Sequence, residues 1–192
     1  MFDGSQHLLN LIDGLLDLSK IEAGHMKLTP STEPLQSTLE QIIQTFNPIT
    51  EKSNQKITLS LDPTTQIITI DPTKFHQIML NLLSNAIKFS PKQSTITIST
   101  KTKKDALIFS IKDEGPGITS DIKAQLFDRF TQDKSKYRAS LDNNPDIQII
   151  EKNTSTSTGT GTGLGLALCK SLIQLHDGTI WLDDTYTKGA CF

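Results

Sequence analysis

A chain of 192 residues with 19 basic and 21 acidic side chains is long enough for one well-buried core and carries no global field suited to nucleic acid or an anionic membrane. Its two cysteines, Cys169 and Cys191, lack metal-ligand spacing and, with no signal peptide, point to a reducing, cytoplasmic compartment rather than a disulfide scaffold. Asn10, Asp13, Asp17 and Lys20 interrupt the N-terminal apolar stretch, which excludes a secretory leader or a membrane span there, so any membrane tether is expected outside this chain.

In chain order, Leu8, Leu11, Leu15 and Leu18, widened by Leu9, Ile12 and Leu16, predict a helix that pairs with other helices and ends near Gly24. A lone helix of that length is marginal in water, so its packing partner is expected to be absent or supplied by another chain. After an extended Met26 to Pro34, a second helix places Leu35, Leu39, Ile42, Ile43, Phe46 and Ile49 on one face, with Asn47-Pro48 disturbing its last turn. Ile57, Leu59 and Leu61 alternate as a strand, and the run Ile67 to Ile70 is expected to pair with it as a hairpin. A third helix from Pro72 to Phe89 buries Phe75, Ile78, Met79, Leu82, Leu83 and Ala86, and two strands follow, marked by Ile96 and Ile98 and by Leu107, Phe109 and Ile111.

Residues 131–158 show no sustained period and are rich in Ser, Thr, Asn, Asp and Lys, which marks a functional lid or an insertion. A helix from Gly163 to His176 and a strand from Thr179 to Leu182 complete the series. Helices and strands so interleaved predict an α+β two-layer sandwich, one mixed and mostly antiparallel sheet covered on one face by three helices.

Three stretches carry candidate chemistry. The run Gly159-Thr-Gly-Thr-Gly-Leu-Gly-Leu166 opens a helix, and closely spaced glycines before a helix N-terminus suit an anion, as a phosphate site. It lacks the Gly-Lys-Ser/Thr of a P-loop and the preceding strand of a dinucleotide turn, and the alternative is a flexible helix cap. On the third helix, Asn81, Asn85 and Lys88 fall within one polar sector, away from the apolar stripe. That sector is either an ordinary solvated face or, since Mg²⁺ takes oxygen ligands and keeps substrate phosphates, a site for a metal-bound triphosphate. Asp113-Glu-Gly115-Pro-Gly117-Ile118 closes the last of the paired strands. A carboxylate there can accept from an exocyclic amino group while the glycines let a base pack on backbone; the alternative is a Gly/Pro turn. Phe127-Asp-Arg129-Phe130 follows.

Taken in order, these stretches closely resemble the catalytic and ATP-binding domain of sensor histidine kinases, within the superfamily of gyrase, HSP90, MutL and these kinases. Asn81 to Phe89 is similar to the N box, Asp113 to Ile118 to the G1 box, Phe127 to Phe130 to the F box and Gly161 to Gly165 to the G2 box. Leu15 to Gly24 resembles the end of the second helix of the dimerisation and phosphotransfer domain, which divides the chain into residues 1–24 and a catalytic domain at 25–192, with an ATP lid at about 131–162. The resemblance implies that Asp113 reads the adenine amino group, that Asn81 and Asn85 bind Mg²⁺, and that Lys88 contacts phosphate. It further implies nucleotide contacts for Gly115, Gly117, Phe130, Gly161, Thr162, Gly163, Leu164 and Gly165. Lys134, Lys136 and Arg138 lie in the lid, where they are either phosphate contacts made on closure or an ordinary solvated basic stretch.

The implied partners are a phosphotransfer domain carrying the substrate histidine, a downstream receiver domain, and a second copy through the first helix. In the ATP-hydrolysing relatives the residue four before the metal-binding Asn is a Glu that activates water. Here it is Asn81, and an amide cannot act as a general base, so phosphoryl transfer is expected over hydrolysis. Such kinases phosphorylate a histidine in a His-Glu-x-x-Thr/Asn-Pro context, which none of His7, His25, His76 and His176 has, so the acceptor is expected in trans. Gly189-Ala-Cys-Phe192 resembles the entry to the family's last strand, which is expected to be left short.

Overall fold

The computed structural model describes residues 2–104, 106–131 and 163–192. Helix α1, Phe2–Glu22, leads into β1, Ser31–Pro34, and then α2, Leu35–Gln44, and α3, Asn47–Ser53. The break between α2 and α3 falls where the sequence places it. Pro48 lacks an N–H and so opens a new helix more readily than it continues one, and Asn54 ends α3 in the left-handed region at φ 52°.

Strands β2, Lys56–Ser60, and β3, Ile67–Ile70, precede helix α4, Pro72–Phe89, whose limits match those read from the sequence. Its start is specified twice over. The Asp71 side chain accepts from the Lys74 N–H, and Pro72 occupies the first turn, where no N–H is needed. Strands β4, Thr95–Lys103, and β5, Ala106–Lys112, are followed by the short α5, Ser120–Lys123, and by α6, Gly165–Leu175.

The β2–β3 hairpin expected from the sequence does not form. Strand β2 pairs in parallel with β4, bringing Ile57 and Leu59 level with Ile96 and Ile98, while β3 pairs antiparallel with β1. Strand β5 adds antiparallel to β4, giving a mixed β2-β4-β5 sheet beside the β1-β3 pair. The connector explains the difference. Asp62 binds the Thr64 N–H and hydroxyl through Oδ1 and the Thr102 N–H through Oδ2, and its own N–H donates to the Thr100 hydroxyl. These bonds hold the Asp62 carboxyl well below the usual carboxylate range and tie the turn to β4, which steers the chain away from β2.

Leu35, Leu39, Ile42, Phe46 and Ile49 from α2 and α3 meet Ile78, Met79, Leu83 and Ile87 of α4, Ile96, Ile98 and Ile111 of the sheet, and Leu168 and Leu172 of α6. The opposite sheet face carries Thr58 and Thr97, whose hydroxyls bond each other, the alternation expected of a sheet covered on one side. The expected strand at Thr179–Leu182 is not formed: these residues take part in no described ladder. Residues 190–192 instead lie along β5, with Ile111 and Phe192 exchanging N–H to carbonyl bonds at 2.9 and 3.0 Å.

Helix α1 finds a partner within this chain, contrary to expectation. Leu18 is buried, Leu11 and Ile21 pack against the core, and Gln77 of α4 donates to Asp17. The apolar stripe is wide enough for two faces: Leu9, Ile12, Leu15 and Leu16 remain exposed. Among the described residues no helix is long and apolar enough to cross a membrane.

Gln55 was not singled out by its sequence context, yet it closes the C-terminal end of α4. Its Nε2 lies 3.1 Å from the Ile87 and Ser90 carbonyls and 3.2 Å from that of Pro91, while Ser53 holds its Oε1 at 2.7 Å. The last carbonyls of a helix lack intrahelical partners, and this buried amide supplies one. Gln55→Ala is expected to lower the unfolding free energy by about 2 kcal/mol, read from urea denaturation.

Candidate nucleotide site

Helix α4 carries Asn81, Asn85 and Lys88 on one face, and that face is turned inward rather than solvated. Asn81 is 1% and Lys88 7% exposed, and Asn85 is half-buried. Helix α6 covers the Asn81 turn: the Cys169 thiol bonds the Ile78 carbonyl at 3.8 Å. Burial pushes that thiol up to about 12, against which the nearby Asn81 amide acts weakly. Neither Asn81 Oδ1 nor Nδ2 is in hydrogen-bonding geometry with any described group. A buried amide left so is uncommon and unfavourable, and points to a ligand or ordered water that completes it. Lys88 Nζ sits 5.5 Å from the centroid of the Phe89 ring.

Strand β5 delivers Asp113 to a buried position, 6% exposed. Its Oδ1 accepts from the Gly115 N–H at 2.8 Å and the Ala190 N–H at 3.0 Å. Burial raises the Asp113 pKa and the two amides only partly oppose it. Gly115 brings this loop onto the end of α4: a Cβ there would lie 2.8 Å from the Phe89 carbonyl oxygen and 3.0 Å from Asp113 Oδ1. Gly117 adopts φ +66° over the Gly189 carbonyl. Glu114, by contrast, accepts from the Thr95 N–H of β4 and is structural.

The Phe-x-x-Phe and glycine-rich stretches also meet. The Phe130 N–H donates to the Gly163 carbonyl at 2.9 Å. Gly163, at φ +72°, has room for no Cβ, which would fall 2.6 Å from the Phe130 Cα. The two aromatics divide their roles: Phe127 packs edge-on against Phe192, whereas the Phe130 side chain stands 61% exposed. Between them, Arg129 pairs with Glu22 of α1. Leu164 is buried, and Gly165 begins α6, whose N-cap position offers no side-chain cap, one turn before Cys169. Gly161, Thr162, Lys134, Lys136 and Arg138, with the rest of 132–162, lie outside the described residues.

Sequence reasoning missed Tyr186, Gly189 and Ala190 as parts of the site. The Ala190 carbonyl accepts from the Asp113 N–H while the Ala190 N–H donates to the Asp113 carboxylate, and the Tyr186 hydroxyl donates to the Asp113 carbonyl at 3.0 Å. A Cβ at Gly189 would lie 2.1 Å from that same carbonyl oxygen. The glycine just before the terminal β-like run was the available signal. His176, whose role the sequence left ordinary, accepts the Asp71 N–H at Nε2, which places its proton on Nδ1, 2.8 Å from the Leu172 carbonyl.

Residues 70–192 match the family of histidine kinase-, DNA gyrase B- and HSP90-like ATPases. The sensor protein KdpD of Clostridium acetobutylicum is 32% identical over 192 residues, covering 100% of this chain and 19% of KdpD. The circadian input-output histidine kinase CikA of Synechococcus elongatus is 35% identical over 195 residues, covering 99% of this chain and 23% of CikA. The chain thus spans about a fifth of the length of these relatives. Among solved structures, the Acinetobacter baumannii histidine kinase AdeS superposes with TM-score 0.72 at 23% identity, over 96% of this chain and 75% of AdeS. Full-length ShkA in complex with AMPPNP gives 0.76 at 23% identity, over 98% of this chain and 35% of ShkA. The chain belongs to the histidine kinase-, DNA gyrase B- and HSP90-like ATPase family, as an ATP-binding domain of the sensor histidine kinase type.

Proposed function

We propose that this chain binds Mg-ATP and passes the γ-phosphoryl group to a histidine on a phosphotransfer domain outside residues 1–192, which in turn serves a receiver domain. The buried Asp113 carboxylate carries this reading. Two amides hold its Oδ1, it is an acceptor kept largely from water, and glycines flank it, which suits recognition of an exocyclic adenine amino group. Gly115 and Gly117 would line the base, and Lys88 would meet phosphate. Phe130, Gly161, Thr162, Gly163, Leu164 and Gly165 would surround the phosphates with the α6 N-terminus.

The uncompleted Asn81 amide fits a hydrated cation, since Mg²⁺ takes neutral oxygen donors and retains waters that an amide can also bind. Asn81 and Asn85 would hold it. Bound Mg²⁺ would neutralise charge on the triphosphate. The chain itself contributes position and electrostatics: no carboxylate replaces Asn81 to draw a proton from water, which supports transfer over hydrolysis.

We place the domain boundary near Gly24. The exposed Leu9, Ile12, Leu15 and Leu16 of α1 support pairing with a second copy, and the free, buried cysteines support a cytoplasmic location. His176 is engaged at both ring nitrogens, which supports an acceptor in trans. The test is incubation with γ-labelled ATP, with and without a histidine-bearing phosphotransfer domain. Acid-labile label is expected on that domain alone; label on this chain unaided would overturn the trans assignment. ATP binding with no transfer to any such domain would make it a regulatory nucleotide-binding module.

A further inference from the structure

We infer that Tyr186 is a positioning residue for nucleotide recognition, setting the Asp113 carboxylate through its backbone. The inference rests on Asp113 being the adenine acceptor. Tyr186 lies 73 residues from Asp113 in sequence, yet its hydroxyl donates to the Asp113 carbonyl at 3.0 Å. That carbonyl is the hinge of the loop. It follows the last β5 residue, its own residue's N–H is spent on the Ala190 carbonyl, and its carboxylate Oδ1 is spent on Gly115 and Ala190. The hydroxyl therefore fixes the one remaining main-chain group of Asp113 and with it the peptide plane leading to Glu114 and Gly115.

The turn that carries Tyr186 is itself held. Asp183 Oδ1 binds the Thr185 N–H and hydroxyl at 3.0 and 2.6 Å, the Tyr186 N–H reaches the Asp183 carbonyl at 3.3 Å, and the Asp183 N–H donates to the Cys191 carbonyl at 2.8 Å. Asp184 pairs with Lys123 of α5, and Lys112 Nζ lies 5.7 Å from the centroid of the Tyr186 ring. Tyr186 accordingly stays a phenol, its pKa raised by burial first and then by Asp113 and Glu114, so it donates at any physiological pH. Gly189 completes the arrangement, because a Cβ there would strike the Asp113 carbonyl oxygen at 2.1 Å and Oδ1 at 2.7 Å. The turn thus approaches Asp113 closely with a single polar side chain directed at it. A donor bound to the carbonyl of a recognition residue adds affinity only through the group that residue reads.

Tyr186→Phe deletes the hydroxyl and keeps the ring. Isothermal titration with ATP and with purine riboside triphosphate, which lacks the 6-amino group, separates positioning from general support. The ATP preference is expected to fall about fivefold with affinity for the analogue unchanged, the loss of one hydrogen bond. Urea denaturation of each variant accompanies the titrations, and Tyr186→Leu, which removes the hydroxyl without adding a donor, serves if the phenylalanine variant does not fold. Equal weakening toward both nucleotides, or an unchanged preference, would overturn the inference while Asp113→Asn still abolishes the preference. If Asp113→Asn also leaves the preference intact, the adenine assignment itself fails, and that result is distinguishable from failure at Tyr186.

Discussion

Asp113→Asn is expected to weaken ATP binding at least about a hundredfold, the loss of a charge-assisted hydrogen bond aggravated by a mismatched donor. The asparagine oxygen would take over the Gly115 and Ala190 amides, because a carboxamide N–H cannot face two N–H donors. Its Nδ2 would then point where an acceptor is required, donor against the adenine amino group. The fold should be no less stable, since the variant keeps both amide bonds and removes a buried charge.

The pH dependence follows the same group. Burial raises the folded-state pKa of Asp113, so the folded protein binds a proton that the unfolded chain at the same pH does not. Stability from this site is therefore present at low pH and is lost as pH rises through the raised value. ATP affinity runs the opposite way, falling as pH drops through that value, and Asp113→Asn should remove both dependences. Calorimetric titration across mildly acidic to neutral pH measures the affinity, and thermal unfolding the stability. Unchanged ATP affinity in the variant would end the adenine assignment.

Asn81→Leu should separate stability from binding in the other part of the site. The wild-type amide is 1% exposed, and among the described residues neither polar atom is in hydrogen-bonding geometry with a partner. Leucine shares the amide's branched skeleton, with bulkier methyls, and suits the apolar α4–α6 seam beside Cys169, so removal of the buried amide should outweigh the tighter packing and raise the unfolding free energy by about 1 kcal/mol. Mg²⁺-dependent ATP affinity should fall about tenfold or more, the loss of a metal ligand or of the water it holds. Titrations with and without Mg²⁺ read the binding. A variant that gains no stability would mean that solvent already completes the amide; unchanged Mg²⁺ dependence would remove Asn81 from the metal.

Sequence made some of this legible and left the rest hidden for identifiable reasons. Helix α4 was readable to the residue because its signals are local: Asp71 and Pro72 at the start and a 3.6-residue period to Phe89. The close backbone approaches at Gly115, Gly117 and Gly163 were readable because such approaches demand glycine, and short-spaced glycines stand out in a sequence. The inward turn of Asn81 and Lys88 was not, since periodicity reports which face is apolar and not what covers the other. The parallel β2–β4 pairing has no local signature, and a short strand followed by a turn reads as a hairpin until Asp62 is seen bonded to Thr102. Gln55, Tyr186 and Ala190 escaped because they act on, or through, main-chain groups 32, 73 and 77 residues away, and backbone amides and carbonyls carry no residue identity.

The hold of Ala190 on Asp113 spans 77 residues of sequence, and this has a consequence for the order of events during synthesis. A nascent chain emerges at roughly 5–20 residues per second, and contacts this distant wait on whatever lies between. Helix α4, strands β4 and β5 and helix α6 can all assemble on the ribosome while the Asp113 carboxylate still lacks one of its two amides. On the proposed role of Asp113, competence to recognise a nucleotide is therefore acquired late, when Ala190 reaches the carboxylate.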